Sequence, residues 1–360
     1  MIAACFLLAV VQGPPDVLLE QERERLRTKA PLSESGKKAY AFPAAAPLKP
    51  RSSYALAVLP LSFSDRPLGA TDVSKFFFEQ VGGYFTTASG GRFTLQGKVF
   101  APLTMAVRRT AFADRDLEGA VASWKTRDGE AVLDGMDGVA FVVAGPLGQR
   151  GTPLWPHRDM LPSGERRIDY LLVAEDSGEC AVGIAAHEFM HLLGFRDKYD
   201  DEKAAVGGWC IMGTGYASKE PAPPCADCRE KLGWTTPTVL DPSREAMIVM
   251  DRDVSRSLKI TVNPDGTEYL LLELRDRLLV WHVGGGMKIE LVGRWPRETS
   301  DRLTPLSEPA FRGRSVGARE VWITDIRLEG GRAWFTVGPD SALTPLEERR
   351  REHVGKRLGD

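Results

Sequence analysis

The chain has 360 residues, 43% of them hydrophobic, and its 47 Lys and Arg nearly balance 49 Asp and Glu for a formal net charge of −2. That is enough apolar material for a substantial core, in one large domain or two. The balanced charge, with no basic stripe interleaved with aromatics, argues against a nucleic-acid binder, and no apolar run is long enough to span a membrane.

The opening residues 1–11 are apolar and of signal-peptide length, although they lack a basic n-region and a small-x-small cleavage site. We expect residues 1–13 to be a signal peptide, with a misassigned start or a buried strand as the alternatives. Residues 14–50, rich in proline, alanine and charge, read as a linker or pro-segment. From Tyr54 the pattern becomes globular. Residues 54–63 predict a buried strand, and Asp72 can cap a helix running through Phe76, Phe77 and Phe78 to Tyr84 and Phe85. A strand is predicted over 92–100, then a helix over 114–125 with Leu117, Ala120, Val121 and Trp124 on one face. Asp134-Gly135-Met136-Asp137-Gly138 misses the spacing of an EF-hand and reads as a turn into a strand at 139–145. Another strand is predicted at 170–175. Beyond residue 239 the pattern is all-β, with strands at 246–250, 258–262, 268–275 and 278–283 and a hairpin of 321–328 with 333–337. The expected organisation is therefore α+β: a first domain over 51–238, a β-rich domain over 239–340 and a solvated tail over 341–360.

The chemistry concentrates in His187-Glu188-Phe189-Met190-His191-Leu192-Leu193-Gly194-Phe195-Arg196-Asp197. On a helix, His187 and His191 project from the same face one turn apart, a spacing that grips one Zn²⁺ while Glu188 reaches an activated water as general base. Burying two imidazoles and a carboxylate in so apolar a segment is costly without a partner. Gly194 tolerates a left-handed turn, so the chain can double back and bring Asp197 round as third ligand. Asp200 is the reserve. Only five histidines occur, at 157, 187, 191, 282 and 353, so no neighbouring His competes for that place. The lack of Glu over 203–219 disfavours a thermolysin-like arrangement. Neither a Gly-x-Ser-x-Gly elbow nor a phosphate-binding loop occurs.

Setting aside Cys5, the remaining cysteines are Cys180, Cys210, Cys225 and Cys228. An even number in an exported chain suggests up to two disulfides, which is the preferred reading. Cys225-Ala226-Asp227-Cys228 could instead be a redox pair or half a zinc knuckle, but it sits after a proline-rich loop, and no second close pair completes a knuckle.

His187-Glu188-x-x-His191-x-x-Gly194-x-x-Asp197, followed by Tyr199-Asp200, resembles the active-site signature of the M6 metallopeptidases, the immune inhibitor A family. Gly208-Trp209-Cys210-Ile211-Met212-Gly213-Thr214-Gly215 is similar to the methionine turn of metzincin-like enzymes. Leu232-Gly233-Trp234, Trp155-Pro156-His157-Arg158 and the runs 268–275 and 278–283 also resemble M6 segments. Met190 stands where that family usually has Gly, and Arg196 where Pro is common; Met190 could narrow a cleft or fill the core behind the helix. The resemblance implies a secreted zinc endopeptidase with a twisted mixed sheet, acting on protein or peptide substrates. In metzincin-like folds a strand just before the zinc helix rims the cleft, and substrate adds to its edge. The resemblance also permits Ca²⁺ at the acidic residues 197–202. Tyr216 and His157 are the candidates to line the cleft or hold an oxyanion, and Met212 is the methionine of the turn. Two other functions stay open: a catalytically idle, zinc-stabilised binding or adhesion protein, and a cytosolic metalloenzyme acting on another bond.

Overall fold

A computed structural model describes residues 50–148, 151–163, 166–198, 206–284, 289–295, 308–312 and 320–339. The expected signal peptide, nearly all of the linker, Asp200 with its acidic neighbours and the tail lie outside the described residues. The fold is α+β.

Strand β1 (Ser53–Phe63) is the middle of the first sheet, and its composition explains why. Tyr54, Leu56 and Val58 enter one core, whereas Ala57, Leu59, Leu61 and Phe63 enter another. A strand apolar on both faces must be covered on both faces. Its parallel neighbours are β2 (Thr94–Val99), β3 (Leu103–Met105) and β4 (Gly138–Pro146). Beyond β4 lie the antiparallel β5 (His157–Ser163) and the parallel β6 (Arg166–Asp176), in the order β2-β1-β4-β6-β5.

The first core is roofed by a π-wound segment (Lys75–Val81), which runs into α1 (Gly82–Ala88). Asp72 caps its start, its Oδ1 accepting the Lys75 N–H at 3.0 Å. The opposite face is covered by α2 (Asp116–Asp128), which buries Leu117, Ala120, Val121 and Trp124. A third helix, α3 (Ala181–Leu192), follows β6 and packs in the first core.

One expectation is overturned here. The strand preceding α3 was expected to offer the free edge, but β6 is interior, paired with β4 on one side and β5 on the other. Tyr170, Leu171, Leu172, Val173 and Ala174 are buried on alternate faces, as suits an inner strand. The edge strand is β5, whose polar residues and Pro162 suit an unpaired border.

After the short α4 (Ala226–Lys231), the described residues form strands and connections only. One sheet runs β12 (Ile289–Trp295), β11 (Leu278–Val283), β10 (Tyr269–Leu274), β9 (Arg256–Thr261) and β7 (Thr236–Leu240). The other runs β13 (Glu308–Arg312), β14 (Glu320–Glu329), β15 (Arg332–Gly338) and β8 (Ala246–Asp251). Leu258, Ile260, Leu270, Leu272 and Val280 of the first face Val321, Ile323, Ala333 and Phe335 of the second in a shared core. The reverse face of the first sheet contributes Leu271, Leu279, Trp281 and Val283 to the core that holds α3. This double burial explains the almost unbroken apolar runs of β10 and β11, and it makes the junction near residue 239 a packed interface. Among the described residues no helix is long and apolar enough to cross a membrane.

Candidate metal centre

Helix α3 is held by its apolar side. Phe189 packs against Tyr54, Phe85 and Phe93 at centroid separations of 5.0, 5.0 and 6.1 Å. Met190 is fully buried in the same core, so it fills space behind the helix and does not narrow a cleft. Gly183 lets the loop of Tyr216 lie flat on the helix, because a Cβ there would collide with the Tyr216 carbonyl. The helix ends as the glycine predicts. Gly194 adopts φ 95°, its N–H donates to the His191 carbonyl at 3.0 Å, and the Phe195 N–H donates to the Met190 carbonyl at 3.2 Å. These two bonds are a Schellman termination, and they turn the chain back across the helix end.

That reversal brings Asp197 to the two histidines. Its Oδ1 lies 3.0 Å from His187 Nε2 and 3.5 Å from His191 Nε2. The His187 Nδ1–H donates to the Ile211 carbonyl and the His191 Nδ1–H to the Phe195 carbonyl, each at 2.8 Å. With Nδ1 committed as donor on both rings, Nε2 is the nitrogen that each ring turns to the shared point, where it would bind an ion on losing its proton. Donor atoms around a tetrahedral zinc with bonds of about 2.05 Å are roughly 3.3 Å apart, so these residues fit the ion. Burial alone would lower the His191 pKa, but the hydrogen bond to Asp197 and the charges of Glu188 and Asp197 lift it to about 9. Burial would raise Asp197, yet the two imidazoles hold it well below the usual carboxylate range. The point between them favours positive charge.

Glu188 is 8% exposed beside these ligands, close enough for its charge to act on His191. Among the described residues no hydrogen bond engages its carboxylate, which leaves it available to a small polar ligand. The Tyr216 ring packs on the His187 ring at 4.6 Å, so this candidate reaches the site. Met212 is fully buried, and its carbonyl accepts the Lys198 N–H at 2.8 Å, tying the methionine segment to the residue after Asp197.

His157 is not brought to the site. Its register partner on β6 is Leu172, so its side chain shares the sheet face of Tyr170, on the side covered by α2. There its Nδ1 lies 2.7 Å from the Trp155 carbonyl, and its Nε2 lies 3.4 Å from the Tyr170 hydroxyl and 3.6 Å from Asp114 Oδ1. The disulfide expectation also gives way: Cys180, Cys210, Cys225 and Cys228 are all free.

Sequence reasoning missed the supports of the site. The Ile211 and Phe195 carbonyls are backbone groups with no side-chain signature. Glu273 accepts from Arg229 at 2.7 Å, from Arg275 at 2.9 and 3.0 Å and from the Trp281 indole at 2.7 Å. Arg275 in turn donates to the Trp209 carbonyl at 2.8 Å and so steadies the loop behind His187. The one available signal was a Glu and an Arg two residues apart at the end of an otherwise apolar strand. No protein-family model matches the chain, and no curated protein matches it.

Proposed function

We propose that this chain is a zinc-dependent endopeptidase of metzincin-like, M6-type organisation. The observation that carries the reading is the convergence of His187 Nε2, His191 Nε2 and Asp197 Oδ1, with the unengaged Glu188 beside them. When bound there, Zn²⁺ supplies a Lewis acid that polarises a carbonyl and acidifies water. The protein supplies the rest. The Glu188 carboxylate takes the proton of the attacking water and returns it to the leaving amine. The Tyr216 hydroxyl, on a ring that packs against that of His187, would donate to the developing oxyanion. The Ile211 and Phe195 carbonyls fix ring tautomer and orientation. The free edge of β5 offers backbone groups to an extended peptide.

The apolar opening segment supports export. A second reading, an intracellular metalloenzyme acting on another bond, draws on the four free cysteines, since exported chains usually oxidise such sets. One experiment addresses both: zinc content and casein cleavage, with and without chelator, for wild type and Glu188→Ala. Equal zinc in the two proteins, with chelator-sensitive cleavage by the wild type alone, is expected. Equal cleavage by both removes the general base, and none by either favours the second reading.

A further inference from the structure

A second set of metal-ligating side chains lies behind the first. Cys225 is the N-cap residue of α4 and Cys228 lies in its first turn, so both sulfurs leave the same end of the helix. Cys210 comes from the methionine segment. The three sulfurs lie within 4.8 Å of one another, and all three residues are 0% exposed. Cys225 Sγ and Cys228 Sγ are 3.6 Å apart, far beyond a bonded disulfide of about 2.05 Å. Sulfurs sharing a tetrahedral ion with bonds of about 2.3 Å are roughly 3.8 Å apart.

The surroundings suit anionic sulfur. The Cys225 N–H donates to Cys210 Sγ at 3.3 Å. Lys198 and Arg275 interact electrostatically with the sulfurs. Arg229 donates to the Pro224 carbonyl at 3.0 Å, and Arg275 to that of Trp209, each carbonyl one residue before a cluster cysteine. Among the described residues, Lys198, Lys231, Arg229 and Arg275 thus pair with two carboxylates, Asp227 and Glu273. Three neutral thiols would add nothing to balance these cations, of which Arg229 is fully buried, whereas three thiolates around a mono- or divalent ion form an anionic complex that complements them.

We propose that Cys210, Cys225 and Cys228 bind a soft, thiophilic cation, Zn²⁺ or Cu⁺, in a closed site separate from the His187, His191 and Asp197 centre. Binding releases the thiol protons to solvent as the sulfur–metal bonds form. The ion ties the loop of Cys210 to α4. The next residue, Ile211, supplies the carbonyl that orients His187, so the closed site positions the open one.

The test uses the full chain purified without chelator, as wild type, as His187→Ala/His191→Ala and as Cys225→Ser/Cys228→Ser. Elemental analysis of the first two identifies the ion. The histidine variant should keep about one equivalent of metal. After cobalt reconstitution it should show the near-ultraviolet thiolate-to-cobalt charge-transfer band that nitrogen and oxygen ligands cannot produce. The cysteine variant should lose that band. Should it fail to fold, the histidine variant decides alone. A histidine variant without metal or band, or a Cys225–Cys228 disulfide in unreduced wild type, overturns the proposal. Neither result bears on Glu188 or on peptide cleavage.

Discussion

The two clusters share one loop, 206–217, yet differ in donor type and in access. Cys210, Cys225 and Cys228 are sealed at 0% exposure, whereas the Asp197 side chain is 40% exposed and that of His191 13%. A site that performs hydrolysis must admit water and substrate, so one side of its coordination sphere stays open; a site that cross-links has no such need. Glu188 sharpens the contrast. Among the described residues, the carboxylate beside the open cluster makes no hydrogen bond, whereas Asp227 and Glu273 near the closed cluster are each tied to a cation.

The largest break in this comparison comes from Asp197→Ala. Loss of an outer partner of a metal ligand costs roughly 10- to 100-fold in affinity, so loss of the proposed ligand itself should weaken metal retention at the open centre by at least about 100-fold. The thiolate band of the closed site should persist. Unchanged metal affinity would move the third ligand to Asp200 or elsewhere. Tyr216→Phe should act more narrowly. The ring still packs on His187, so metal content holds, while kcat falls by about 100-fold if an oxyanion donor is lost. A fall confined to KM would instead place the hydroxyl in substrate binding.

The support between the clusters has its own signature. Burial would raise the Glu273 pKa, but Arg275 and Arg229 bring it down from 4.5 to about 2. A carboxylate depressed in the folded state stabilises above its unfolded pKa and loses that contribution as pH falls through its folded value. Glu273 should therefore add an acid-unfolding component between pH 4.5 and about 2. Glu273→Gln should lower stability at neutral pH and flatten that part of the curve. A variant whose melting temperature keeps the wild-type pH dependence would show that the pair does not hold the loop.

Much of this was legible in the chain because the signals are local. The run at 54–63 is apolar at both parities, which is the mark of an inner strand, and the period of Leu117, Ala120, Val121 and Trp124 located α2. The spacing of His187, Glu188 and His191 together with Gly194 already contained the helix, its stop and the return to Asp197. What escaped depends on distance along the chain. Cys210 meets Cys225 only because loop 206–217 folds onto α4, so the cysteines read as disulfide halves. Strand β5 is short and polar, with no alternation to betray it, and β7 begins Thr236-Pro237 at a sheet border.

The face of β5 is also the subject of the smallest expected effect. In a strand, one step of register moves a side chain to the other face, and the pairing of His157 with Leu172 puts its ring on the α2 side, away from α3. Its partners there are the Trp155 carbonyl, Tyr170 and Asp114. Replacing it by His157→Gln should cost about 1 kcal/mol of stability through the altered hydrogen bonds. The kcat/KM of the proposed peptidase reaction should stay within about twofold of wild type, with the same metal content. A tenfold loss of kcat at unchanged stability would mean that the ring reaches the reacting carbonyl. The register of β5 on β6 would then have to slip by one residue, and the free edge assigned to an extended substrate would present its opposite set of side chains.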